Sequence, residues 1–140
     1  MKKEATCLAC SQKFVYNDTQ STGKYCNNRC QHDYQYQQYV SRWKSGKESG
    51  MRGKVSISKH IRRYLHEKHN GCCCKCGWSK MNPVTNKVPL EINHKDGDID
   101  NNAESNLELL CPNCHSLTPN FGVLNAGKGK RGKKNVRTRD

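Results

Sequence analysis

The chain has 140 residues and a formal net charge of +13, from 25 Lys+Arg against 12 Asp+Glu, with only 33% hydrophobic residues and ten cysteines. So little apolar material excludes one large hydrophobic core, and units this small are usually stapled by metal or disulfides. No apolar run approaches a membrane span and the opening "MKKEATCLAC" holds no hydrophobic signal segment, so secretion and membrane insertion are set aside. The reading is a cytoplasmic chain in which reduced cysteines bind metal and the positive surface meets nucleic acid.

Residues 1–43 carry Cys7-x-x-Cys10 and Cys26-x-x-x-Cys30 with fifteen residues between the pairs, the spacing of a four-cysteine structural Zn²⁺ site. "FVY" reads as a short strand, "NDTQSTGK" as a turn, and "NNRCQHDYQYQQYVSRW", free of Gly and Pro, as a polar helix carrying Cys30. Residues 44–55, containing "KSGKESGMRG", have a linker's composition. In "SISKHIRRYLHEKHNG", Ile57, Ile61, Tyr64 and Leu65 fall at helical spacing, with Ser56 or Ser58 as N-cap and Gly71 as stop. Lys59, Arg62, Arg63 and Lys68 then form its outer face; His60, His66 and His69 are read as solvated or phosphate-facing, because no matching carboxylate or cysteine completes a ligand set.

Residues 56–125 form the second expected domain. Cys73 is paired with Cys76, which gives the two-residue spacing and puts Gly77 after the knuckle; Cys72 and Cys74 are then spare thiols. Cys111 and Cys114 complete a second Zn²⁺ site across 34 intervening residues. Inside that clamp "KVPLEINH" alternates, with Val88, Leu90 and Ile92 on one face and Glu91 and Asn93 on the other, as in a half-buried strand ending at His94. "KDGDIDNNAES" is a turn-rich loop. "NLELL" is a second strand, and "CPNCHSLT" opens a helix with Pro112 at its first position, which Pro119 stops. Asp96, Asp98 and Asp100 alternate as in a calcium loop, but Leu107 stands where the bidentate Glu belongs, so they are read as loop formers. The expected fold class is small α+β, zinc-stabilised: a four-cysteine finger, a helix, then strand, loop, strand and helix.

Asn93-His94 in "INHKDG", with Asn106 and His115 in "SNLELLCPNCH", resembles the HNH endonucleases, whose ββα-metal motif has His at the end of strand one, Asn before strand two and His or Asn on the helix. Asn106 lies 12 residues after His94 and His115 lies 9 after Asn106; the likeness, closest to the phage and mobile-element type, covers residues 57 to 125. It implies hydrolysis of DNA phosphodiester bonds, with the duplex as substrate and His94 as general base. Asn106 would align His94, and His115 with Asn93 would hold Mg²⁺ or Mn²⁺. Imidazole suits the base role because it titrates near neutrality, and a hard cation that keeps most of its waters suits the metal role. Many relatives have Asp or His in place of Asn93, and some have a further His where Pro119 stands. A DNA-binding accessory protein that kept the fold with weak catalysis is the alternative. Residues 126–140, with seven Lys or Arg, are read as a basic tail that follows a phosphate backbone.

Overall fold

The computed structural model describes residues 1–53 and 56–122, and the chain divides into two compact units, Met1–Ser45 and Gly46–Asp140. The basic tail lies outside the described residues. No helix among those described is long and apolar enough to cross a membrane.

In the first unit β1 (Lys2–Thr6) pairs antiparallel with β2 (Lys13–Asn17), Ala5 facing Phe14. The hairpin end carries Cys7 and Cys10, closed by Cys7 N–H donating to Gln12 O (2.9 Å) and Ser11 N–H donating to Cys7 O (3.0 Å). Helix α1 (Asn28–Lys44) follows, capped by the Asn27 side chain, whose Oδ1 accepts from Cys30 N–H at 2.7 Å. Only Tyr36 and Trp43 of α1 are buried, consistent with its Gln-rich sequence. Gly23 suits its place: its φ is +72°, which favours glycine, and a Cβ there would lie 2.4 Å from the Tyr16 ring, which would have to move.

The second unit begins within the stretch expected to be linker. Strand β3 (Met51–Arg52) pairs with β4 (Ser56–Ile57), and Gly50 O accepts from Ser58 N–H at 2.8 Å, so the glycine- and lysine-rich segment is only partly a connector. Helix α2 (Lys59–Lys68) starts at Ser58, whose hydroxyl accepts from His60 N–H, and buries Ile61 and Leu65 completely. Strands β5 (Glu91–His94) and β6 (Leu107–Leu110) form an antiparallel pair, Asn93 opposite Glu108 and His94 opposite Leu107. The five-residue helix α3 (Pro112–Ser116) has Pro at its first turn and packs against both strands. Leu90, Leu107, Leu109 and Leu110 join Ile61 and Leu65 in a small core beside the buried Cys73 and Cys111.

Apolar alternation assigned Asn93 to an outer polar face, yet it is 6% exposed. Its cross-strand neighbour Glu108 accepts from its amide Nδ2 at 2.8 Å, and that satisfied pair lets a polar side chain enter the interior.

Candidate metal centres and catalytic site

Cys7, Cys10, Cys26 and Cys30 converge in the first unit, and Cys73, Cys76, Cys111 and Cys114 in the second; within each group the sulfurs all lie within 4.8 Å of one another, and either group could hold a metal ion. Separations of 3.7 Å for Cys10–Cys26, 3.6 Å for Cys26–Cys30 and 3.7 Å for Cys76–Cys111 show how tightly they are drawn together. Burial opposes ionisation of Cys7, but the N–H groups of Cys10, Cys26 and Ala9 outweigh it and bring the thiol down to about 6. At Cys73 the N–H groups of Cys111, Cys76 and Lys75 likewise outweigh burial, again to about 6. The neighbouring sulfur of Cys26 pushes Cys30 up to about 12, and that of Cys111 does the same to Cys114. Cys72 and Cys74 stay outside the cluster.

Cys111 has two further duties. As N-cap of α3 its sulfur accepts from Cys114 N–H at 3.4 Å, and its carbonyl accepts from His115 N–H at 2.9 Å. The cysteine cluster and the seat of His115 are therefore one piece of backbone. His115 is the fourth residue of the five in α3.

The Asp/Asn loop between β5 and β6 is organised by Asn106, which is 8% exposed. Its Oδ1 accepts from Asp96 N–H (3.0 Å), and its Nδ2 donates to Asp96 Oδ1 (2.9 Å) and Asn101 O (2.8 Å). Asx turns at Asp96 and Asp98 fold the rest, the N–H groups of Asp98 and Asp100 donating at 2.8 and 3.0 Å. The Asn101 amide, helped by Asp98 N–H and Asn106 against partial desolvation, holds the Asp96 carboxyl below its ordinary 3.8. The partner of His94 is not Asn106 but Asn102, 4% exposed, whose Oδ1 lies 2.8 Å from His94 Nε2.

His94 and His115 line two adjoining cavities. The larger, about 570 Å³, also takes in Ile57, Arg62, Glu91, Asn102 and Phe121. The smaller, about 390 Å³, takes in Ile92, Asn93 and Asn120. His115 Nδ1 is hydrogen-bonded to Glu91 Oε2, and Phe121 meets the imidazole edge-on with ring centroids 5.0 Å apart. Asn93, His94 and His115 thus border one space, while Asn106 acts through the loop. Glu91, Asn102 and Glu108 escaped the sequence reading: Asn102 is one of several Asn and Asp in the loop, and Glu91 carries the alternation of a solvent-facing residue.

No family model and no solved structure matches the chain. Among curated proteins it is 39% identical over 93 residues to the H-N-H endonuclease F-TflIV of Escherichia phage T5, an overlap covering 65% of this chain and 40% of that protein. The chain thus spans about two fifths of the length of this relative. That identity, together with a strand–loop–strand–helix unit that gathers Asn93, His94 and His115, supports membership of the chain in the HNH endonuclease family.

Proposed function

We propose that the protein is a divalent-metal-dependent endonuclease that hydrolyses phosphodiester bonds of duplex DNA. The observation that supports the reading is the cavity that Asn93, His94 and His115 share, which fits a base with two ligands. His94 is the general base. Because Asn102 Oδ1 accepts, Nε2 is the protonated nitrogen and Nδ1 keeps the lone pair that takes the proton of the attacking water. Asn106 holds the loop that carries Asn102, so its effect on His94 passes through the backbone.

The donor set fits a hard divalent ion. Donation of Asn93 Nδ2 to Glu108 leaves Oδ1 as the amide's coordinating end and polarises it toward more negative charge, and His115 adds an imidazole. Asn93 and His115 would hold Mg²⁺ or Mn²⁺, which would supply positive charge against the developing charge of phosphodiester hydrolysis. Arg62 lines the larger cavity, where its guanidinium would meet a phosphate. In the two cysteine clusters zinc is the proposed ion: four thiolates about 2.3 Å from a tetrahedral Zn²⁺ stand about 3.8 Å apart. The sulfur separations of 3.6 and 3.7 Å fit that figure.

Supercoiled plasmid is incubated with the full chain and Mg²⁺, Mn²⁺ or brief EDTA, with zinc content checked throughout. Cleavage that needs the added cation and is lost in His94→Ala, while that variant still binds DNA in a salt-sensitive manner, supports the reading. Undiminished cleavage by His94→Ala overturns it. DNA binding with no cleavage under any cation leaves the accessory-protein alternative in its place.

A further inference from the structure

We infer that Glu91 is the positioning residue of the catalytic metal site: it holds His115 in the Nδ1–H tautomer and so presents Nε2, bare, to the cation. The inference rests on the endonuclease reading for the identity of the cation, but its structural half stands on the contacts alone.

A carboxylate has no proton to give, so the hydrogen bond between Glu91 Oε2 and His115 Nδ1 requires the proton to sit on Nδ1. The lone pair is then on Nε2, at the diverging edge of the ring. His115 borders both cavities, Glu91 lining the larger and Asn93 the smaller. With Nδ1 committed to Glu91, Nε2 is the nitrogen left to face a cation. Phe121, packed edge-on against the imidazole, limits its rotation about the Cβ–Cγ bond. A free imidazole favours the other tautomer, with the proton on Nε2, which would turn a donor rather than a lone pair toward a cation. A carboxylate behind a ligating histidine corrects this and raises the basicity of the ligating nitrogen; loss of such a partner commonly weakens metal affinity about 10- to 100-fold. Glu91 holds this position because the α3 backbone brings His115 over the start of β5, 24 residues away in sequence.

The tautomer is read by long-range ¹H–¹⁵N NMR of the imidazole nitrogens in the zinc-loaded full chain at neutral pH, with no other cation added. His115 is assigned by its loss in His115→Ala. Wild type is expected to show Nδ1–H; Glu91→Ala is expected to move His115 toward Nε2–H, and Glu91→Gln, which keeps an acceptor oxygen, to restore part of the wild-type pattern. Mn²⁺ affinity followed by electron paramagnetic resonance should fall about 10- to 100-fold in Glu91→Ala and clearly less in Glu91→Gln. Wild-type His115 with its proton on Nε2, or a tautomer unmoved by Glu91→Ala, overturns the inference. So does an equal loss of Mn²⁺ affinity in the Ala and Gln variants, which would make Glu91 a direct ligand. Because the NMR readout needs neither DNA nor cleavage, an inactive protein with the expected tautomer would count against the endonuclease reading and leave the Glu91 contact intact.

Discussion

Asn106 offers a test in which the closest isostere does more damage than truncation. Asn106→Ala removes three hydrogen bonds of 3.0, 2.9 and 2.8 Å from a nearly buried position. At about 0.5–1.5 kcal/mol net for each, the loop loses about 3 kcal/mol. Asn106→Asp keeps the acceptor for Asp96 N–H but puts an oxygen where Nδ2 stood, facing Asp96 Oδ1 and the carbonyl of Asn101. Asp96 is exposed, so the repulsion is screened; at an effective dielectric of about 40, unit charges about 3 Å apart still repel by about 3 kcal/mol. The Asp variant should therefore lose about 5 kcal/mol, a large fraction of the stability of so small a unit. Urea unfolding of the zinc-loaded chain gives the order, and hydrogen exchange of the Asp96 amide localises the effect to the loop. Asn106→Asp matching wild type, or proving more stable than Asn106→Ala, would refute the hydrogen-bond assignment on which the loop argument stands.

Removing the partner of His94 with Asn102→Ala should lower kcat by about 10- to 100-fold with DNA affinity unchanged, measured by single-turnover cleavage and fluorescence anisotropy; an unaltered rate shows that His94 needs no such anchor. Cys73→Ser should halve the zinc content measured by mass spectrometry of the native protein and unfold the second unit, whereas Cys74→Ser and Cys72→Ser should keep both ions; the reverse pattern moves the cluster by one residue. Leu109→Ala, at a fully buried site between α2 and the strand pair, should cost about 2–5 kcal/mol in denaturant unfolding while leaving the first unit untouched.

The order of elements in the second unit was legible because each part had a distinct local signal. Ser56 or Ser58 before an amphipathic run marked the start of α2, which falls at Ser58; leucines marked β6, and Pro112 after a cysteine marked α3. Register was legible for the cysteines, since only Cys73 gave the two-residue spacing to Cys76. Strand β1 was not, because "KKEAT" is exposed on both faces and has no apolar alternation to betray it; it exists by pairing with β2. The pairing of Met51–Arg52 with Ser56–Ile57 is likewise too short for a periodicity to register. Among the site residues, Asn93, His94, Asn106 and His115 stand at intervals a motif can match. Their helpers Glu91, Glu108 and Asn102 are fixed by contacts across 24, 15 and 8 residues, and no local pattern encodes which of several carboxylates and amides will face them.

Cys111 ends the run from β6 into α3 as sulfur donor, helix cap and carbonyl anchor for His115 at once. On the proposed reading, a chelator that empties the cysteine cluster should abolish hydrolysis even when the second cation is resupplied in excess, because the backbone under the imidazole loses its clamp. Magnesium alone should then fail to rescue the treated protein until zinc is returned, and the order of addition would read out which ion builds the site and which one works in it.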